Sequence, residues 1–343
     1  MLCFSCVTAP PAIKPEFLPK PPDEPKLALI AVYRGEADIV SRGFLSVLLG
    51  DTPSDNLSKP YGVAARNGKI YVTDTGKPRV LVMDPKGQRI TTIGDSGSAR
   101  LSLPLGIAVA ADGTIYVSDG ELKKVFIFDQ TGNVKNVIGK KGDFETNSGI
   151  ALNEELKRLY VIDSKGHTVR VFTDRGEPLF QFGKNGDGDG DLFFPSNIAI
   201  DRRNGNVAVV DTQHFKVQIF DKDGRFIKKF GQLGDAAGNF SRPKGVGIDS
   251  EGNIYVTDAA FDNVQIFNEN TQLLLVLGSG GVMPGYFQVP GGAYVDENDR
   301  LYVVDQLNGR VQVYQYMSEK WKKEHPDEYK NLEREYQQGN HAK

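Results

Sequence analysis

The chain has 343 residues, with 41 basic and 44 acidic side chains, a formal net charge of −3 and two cysteines. This balance argues against a nucleic-acid-binding surface, and no apolar run is long enough to predict a membrane-spanning helix. At this length, a single large core is expected only in a repetitive or barrel-like fold.

The first 26 residues differ in composition from the rest. Cys3 and Cys6 are the only cysteines, and seven of the eighteen prolines lie between residues 10 and 25. Such a stretch predicts an extended, poorly packed spacer. A cysteine directly before a proline-rich spacer is typical of a mature bacterial lipoprotein, with Cys6 as the lipidated residue. The apolar stretch before it is too short for a signal peptide. Three alternatives therefore stay open: an upstream start, a trimmed chain, or a cytosolic protein with two free thiols.

One pattern recurs six times from residue 60 onward. Each copy ends its second apolar run in an aspartate, and these aspartates are spaced by 45, 44, 48, 47 and 47 residues. They are Asp74, Asp119, Asp163, Asp211, Asp258 and Asp305. A period of this length, built from β-branched and aromatic runs, indicates a solenoid, an array or a propeller.

Each copy contains four predicted strands. The first, as in residues 245–248, is short and apolar on both faces, and a Gly or Asn turn follows it. The second reads x-[I/L/V]-Y-V-x-D in five copies, and the third starts five residues after its aspartate, as at Lys216. The fourth ends in glycine, as at Gly231. Sheets of this kind cannot cover their own faces, so the copies must stack around an axis.

The combined pattern P-x-G-[I/V]-x-V-D…G-x-[I/L]-Y-V-x-D…[R/K/N]-V-Q-[I/V]-F-D resembles the NHL repeat family over residues 60–315. The resemblance implies an all-β, six-bladed β-propeller, and the Cys6 segment would make it a bacterial, lipoprotein-type member of the family. The sixth copy supplies only three strands, so another segment must complete it. We expect Leu27–Tyr33 to be that closing outer strand, with residues 41–49 forming a short helix. The alternative closing strand is 44–49.

The last 26 residues are charged and predict a helical tail. Ser318 is a good N-cap, and Pro326 fits the first turn of a second helix. The tail is either a solvated appendage or a docking helix, whose apolar side is formed by Trp321, Tyr329, Leu332 and Tyr336. The chain thus divides into a spacer (1–26), a propeller (27–317) and a helical tail (318–343).

One segment before the fourth copy alternates carboxylates with glycine, as a calcium loop does at its start. Its candidate ligands are Asp187, Asp189 and Asp191. The twelfth position holds Ser196 instead of glutamate, and the segment aligns with two other 13-residue segments that share its glycine positions. These three segments are 183–195, 231–243 and 278–290. We therefore predict an ordinary connector between blades and no metal, with calcium ligation as the alternative.

The repeated aspartates are expected to accept backbone N–H bonds in the four-residue loops that follow them. These loops keep one length but vary in chemistry, and in a propeller they share a face with the connectors. Loops on a rigid scaffold often carry function. We predict that this face binds a protein or an extended ligand, with Lys244 near the channel mouth. The candidate residues are Lys77, Arg79, His167, His214, Lys216, Lys244, Asp262, Asn308 and Arg310.

The sequence favours a non-enzymatic, monomeric scaffold without a cofactor. We expect it in the cell envelope if it is a lipoprotein, touching the membrane only through a lipid anchor, and in the cytoplasm otherwise. The alternative is a metal-assisted hydrolase or lyase at the channel mouth, as in the peptidyl-glycine amidating lyases that share this type of propeller. His167 and His214 lie in neighbouring copies, but a zinc site needs a third ligand, and the other histidines lie in the tail.

Overall fold

The computed structural model describes residues 7–8, 13–20, 23–43, 55–140 and 142–341. Ahead of the repeats lie four strands: β1 (Val7–Thr8), β2 (Glu16–Leu18), β3 (Leu27–Tyr33) and β4 (Arg42–Gly43). Three short 3-10 helices cover Glu36–Asp38, Gly97–Ala99 and Thr212–His214. Two α-helices end the chain, α1 (Glu319–Glu324) and α2 (Pro326–His341). No helix of the described ranges is long and apolar enough to cross a membrane.

The six copies form six antiparallel sheets, which are the blades. Blade 1 contains β5 (Pro60–Arg66), β6 (Lys69–Asp74), β7 (Arg79–Asp84) and β8 (Arg89–Ile93). Blade 2 contains β9 (Pro104–Val109), β10 (Ile115–Asp119), β11 (Lys124–Phe128) and β12 (Val134–Ile138). Blade 3 contains β13 (Asn147–Asn153), β14 (Arg158–Asp163), β15 (Thr168–Thr173) and β16 (Pro178–Phe182). Blade 4 contains β17 (Pro195–Ile200), β18 (Val207–Asp211), β19 (Lys216–Phe220) and β20 (Phe226–Phe230). Blade 5 contains β21 (Pro243–Ile248), β22 (Ile254–Asp258), β23 (Asn263–Phe267) and β24 (Leu273–Leu277). Blade 6 contains β25 (Pro290–Val295), β26 (Arg300–Asp305) and β27 (Arg310–Tyr316), joined by β3 and β2.

The blades close into a ring. The first strand of each blade contacts the first strand of the next, and β25 contacts β5 to complete the circle. The second strands are buried on both faces, and the apolar core clusters lie between neighbouring blades. The fourth strands alternate between exposed and partly buried residues, as in β20 and β24. The alternation follows from one face meeting solvent at the rim. The fold is thus an all-β, six-bladed propeller.

The ring is closed by the predicted N-terminal strand. β3 pairs antiparallel with β27, with Leu29 opposite Tyr314 and Val32 opposite Gln312. Leu27 and Leu29 are each 1% exposed, which shows that the strand also contributes to the core between blades 5 and 6. The prediction that Leu27–Tyr33 completes blade 6 is confirmed.

The alternative closing strand at 44–49 lies outside the described residues, as do Cys3 and Cys6. Of the predicted helix at 41–49, only residues 41–43 are described. There Arg42–Gly43 forms β4 and pairs with β1, so the predicted helix does not begin at this point.

The expectation of an unpaired spacer over residues 1–26 is wrong for residues 7–8, which pair with β4, and for residues 16–18. Residues 16–18 form β2, which pairs with β3 so that Glu16 lies opposite Leu29 and Leu18 opposite Leu27. The outer edge of β3 carries free backbone N–H and C=O groups, and an extended segment can satisfy them. Blade 6 therefore has five strands instead of four.

The tail folds back on blade 6. The Ser318 hydroxyl accepts the N–H of Trp321 at 3.0 Å, so the predicted N-cap is confirmed. Trp321 is 2% exposed and packs with Ala28 and Met317. The rings of Phe17 in β2 and Tyr336 in α2 make an edge-to-face contact, with their centroids 5.2 Å apart. The apolar side of the tail is therefore occupied by the chain's own N-terminal strands.

Candidate functional site

One face of the ring carries the four-residue loops between second and third strands, together with the connectors between blades. We call it the loop face. The aspartate that ends each second strand holds this face together. Asp74 accepts the N–H groups of Ser58 and Lys59 in the connector and of Gly76 in its own loop, at 2.8–3.1 Å. Asp119, Asp163 and Asp258 make the same set of bonds, so their predicted structural role is confirmed.

The aspartate- and glycine-rich segment is an ordinary connector, as predicted. It and its two counterparts contain matching parallel bridges, Asn185 to Leu192, Leu233 to Phe240 and Gly280 to Phe287. The third strands of blades 4, 5 and 6 each carry a glutamine whose amide oxygen accepts a connector N–H and whose amide nitrogen donates to a connector carbonyl. These residues are Gln218, Gln265 and Gln312. The three connectors therefore share one geometry.

The three candidate metal ligands point to different protein groups. Asp187 lies 3.1 Å from the Nε2 of His214, and Asp189 lies 2.7 Å from the Nζ of Lys229. Asp191 is 3.8 Å from the Nζ of Lys184. Within the described parts of the chain, no three His, Cys, Asp or Glu side chains form a group that could hold a metal ion.

Three predicted contact residues are buried, and the expectation that they offer charge on the loop face needs correction. Arg310 is 1% exposed; its Nε lies 2.6 Å from Asp305, and its other nitrogens donate to connector carbonyls. Lys216 and Arg79 are 8% and 7% exposed and lie near Asp211 and Asp55. In blades 1, 4 and 6 the charged first residue of the third strand is therefore buried and makes contacts within the chain, whereas Lys124 of blade 2 is exposed at the same position.

Two further candidates also hold connectors in place. Asp262 accepts the N–H of Val289 at 2.7 Å. The amide of Asn308 donates to the carbonyl of Gly281 at 3.0 Å and to Asp305. Lys77, in contrast, is exposed. Of the nine candidates, therefore, Lys77 and Lys244 remain placed to contact a ligand, while both ring nitrogens of His214 lie near aspartates and the Nδ1 of His167 accepts the N–H of Phe194.

The two histidines meet in an aromatic cluster. The ring of His167 stacks on Phe193 with centroids 5.3 Å apart and contacts Phe194 edge-on at 4.8 Å. Phe193 also lies 5.7 Å from the ring of His214, whose Nδ1 is 2.7 Å from buried Asp211. The sequence reasoning missed both phenylalanines. Their one available signal was an adjacent aromatic pair directly before Pro195.

Lys244 lies where the sequence predicted, at the entrance to an inner strand. Its Nζ is 5.5 Å from the centre of the Tyr61 ring. Tyr61 belongs to blade 1 and Lys244 to blade 5, so this contact joins two blades that are separated in the ring by blade 6. Burial, followed by the nearby positive charges of Arg242 and Lys59, lowers the pKa of Lys244.

The first strands surround a small axial cavity of about 120 Å³. They approach one another backbone to backbone, because the third residue of these strands is glycine in five blades. A Cβ on Gly292 would lie 2.8 Å from the carbonyl oxygen of Tyr61. At the opposite end, Arg66 and Glu154 form an ion pair at 2.8 Å across the opening. Only a small group can therefore enter the axis.

Exposed apolar side chains are concentrated on the loop face. Among the described residues, thirteen large apolar side chains are exposed, and seven of them lie in connectors or second-to-third-strand loops. These seven are Leu122, Phe194, Leu233, Val282, Met283, Tyr286 and Leu307. The other six lie on fourth strands, and none lies in the turns of the opposite face. Val282, Met283 and Tyr286 lie in one connector, and the N–H of Leu307 donates to the carbonyl of Gln288 in the same connector, so these four form a local apolar group, which indicates an interaction site.

Comparison with known proteins supports the fold. A family model described as DUF5128, 6-bladed beta-propeller, matches residues 143–218. No curated protein matches the chain in sequence. An auxiliary nutrient binding protein from Bacteroides thetaiotaomicron superposes with a TM-score of 0.60 at 13% identity, covering 77% of this chain and 70% of that one. A structural genomics protein of unknown function from the same organism gives 0.57 at 17% identity, covering 76% and 70%. Virginiamycin B lyase from Staphylococcus aureus gives 0.55 at 11% identity, covering 75% and 95%. At these identities the likeness extends to the fold alone.

Proposed function

We propose that this chain is a non-enzymatic binding propeller of the NHL type, whose loop face holds a protein partner or another extended ligand. The observation that carries the proposal is the set of seven exposed apolar side chains on that face. They stand on loops and connectors fixed by the repeated aspartates, so little conformational entropy is lost when a partner docks. A structural neighbour described as a nutrient binding protein is consistent with a binding role.

The proposal includes a location. A lipid on Cys6 would anchor a monomer in the cell envelope. Metabolic palmitate labelling of the native gene product in a bacterial host tests this, with loss of label on Cys6→Ser and retention on Cys3→Ser as the expected result. A product that takes up no palmitate would place the protein in the cytoplasm instead.

The alternative of a metal-assisted hydrolase or lyase has less support. The described residues form no three-ligand group, and the axial opening carries Lys244 and Tyr61 in place of histidine or carboxylate ligands. Similarity to a lyase at 11% identity does not transfer its chemistry to this chain.

The test uses matched surface variants of the full chain. Met283 and Leu307 on the loop face are 65% and 62% exposed, and Leu274 on the rim of blade 5 is 54% exposed. A partner captured by the native chain should be lost by Met283→Asp/Leu307→Asp and kept by Leu274→Asp. Retention by the loop-face variant, combined with loss on deletion of the tail from Ser318, would move the binding surface to the helices.

A further inference from the structure

Three positive side chains lie at the loop-face ends of the first strands of blades 1 and 5. Lys59 follows the connector into blade 1, while Arg242 and Lys244 flank Pro243 at the start of blade 5. The Nζ of Lys244 lies 5.5 Å from the ring of Tyr61, which is two residues from Lys59, and Arg242 is two residues from Lys244, so the three cations lie at the starts of the two strands that this contact joins. The backbone N–H groups of Lys59 and Arg242 are held by Asp74 and Asp258, so the cluster sits on fixed backbone.

Three other cations of the blades are neutralised by aspartates. Arg310, Lys216 and Lys229 each lie within ion-pair distance of an aspartate. Within the described ranges, Lys59, Arg242 and Lys244 have no such carboxylate. Arg242 donates one bond, to the carbonyl of Ala259 at 2.9 Å. A partly buried ammonium without a counter-ion is unfavourable, and an incoming anion would relieve it.

The shape of the opening limits the size of that anion. The inner strands pack backbone to backbone below it, and the Tyr61 ring lies beside the Lys244 ammonium at 5.5 Å. A carboxylate is small enough to contact the Lys244 ammonium beside this ring. A nucleic acid is disfavoured, because the chain has a net charge of −3. The exposed apolar side chains around the same face suit the side chains of a polypeptide.

We propose that Lys59, Arg242 and Lys244 form a binding site for a carboxylate of an acidic polypeptide segment, which enters the axial opening from the loop face. This inference rests on the proposed function, because it names the chemistry by which the loop face holds its partner. The carboxylate accepts charge-assisted hydrogen bonds from the three cations, and its flanking residues lie on the apolar loops.

The test measures binding of an end-capped hexaglutamate peptide to the full chain by calorimetry at low salt. We expect Lys244→Gln to weaken binding by about tenfold or more, as the loss of a charge-assisted bond predicts. Lys244→Arg should retain it. The matched control is Lys165→Gln, which removes the same charge from an exposed loop-face lysine in blade 3. Equal weakening by Lys165→Gln, or none by Lys244→Gln, would overturn the proposal.

A second measurement does not depend on a variant that folds. Carbon-13 dimethylation of lysines gives each amine its own resonance, and the hexaglutamate peptide should shift that of Lys244. Inorganic phosphate is the competing probe. If phosphate shifts the Lys244 resonance and the peptide does not, the site takes small anions and the polypeptide proposal is wrong.

The outcomes separate this inference from the proposed function. If Lys244→Gln leaves peptide binding intact while Met283→Asp/Leu307→Asp loses the captured partner, the carboxylate site is wrong and the loop face stands. If Lys244 binds the peptide while Met283→Asp/Leu307→Asp still captures the partner, the carboxylate site stands and the proposed function is wrong.

Discussion

Leu29 offers a sharp test of how the ring closes. It lies in β3, 1% exposed, opposite Tyr314 and within the core cluster that contains Leu277 and Phe287. Leu29→Ala removes three carbons from a site walled by β-sheets, which cannot collapse readily into the space. The expected loss in unfolding free energy is about 2–5 kcal/mol, the range for buried leucine to alanine.

Urea unfolding measures this loss. Trp321 is the only tryptophan of the chain and packs on Ala28 of the same strand, so its fluorescence reports on blade 6 while circular dichroism reports on the whole ring. The matched control is Leu274→Ala on an exposed rim position, which should change stability by about 0.5 kcal/mol or less. If Leu29→Ala costs no more than this control, β3 does not close the ring.

Three further predictions concern stability. Deleting residues 1–26 removes β2 and should lower the melting temperature slightly. Deleting residues 1–36 also removes β3 and should destabilise the fold sharply. Equal melting temperatures for the two deletions would contradict the pairing of β3 with β27. Arg310→Ala leaves buried Asp305 unpaired and should cost about 3–5 kcal/mol in denaturant unfolding, and a cost below about 1 kcal/mol would refute the ion pair. Burial raises the pKa of Asp249 to about 6, so the folded state binds the proton more tightly than the unfolded state. Stability relative to Asp249→Asn should therefore fall by about 3 kcal/mol as the pH rises from about 4 to above 6, and a flat difference would refute this burial effect.

The fold was readable from the sequence because it depends on local periodicity. Each strand, each turn and each aspartate such as Asp74 recurs at a fixed offset, so six copies gave six blades. The short strand β2 was not readable, since three residues flanked by prolines show no alternation and pair only because the edge of β3 is free.

The candidate site was only partly readable. Lys244 could be placed at the axial opening because it follows Pro243 at an inner-strand entrance. The burial of Arg310 could not be predicted from the sequence, because it depends on how the connector before the sixth copy folds over the side chain. The contact between Tyr61 and Lys244 was likewise hidden, since the two are distant in sequence and come together only when the ring closes.

Hydrogen exchange on the full chain with its captured partner tests the central claim that the loop face is the binding surface. The account predicts slowed exchange in the connector 279–289 and the loop 306–309 of the bound chain, with the fourth strands β20 and β24 unchanged. Protection confined to those rim strands or to α1 and α2, with the connectors exchanging as in the free chain, would contradict it.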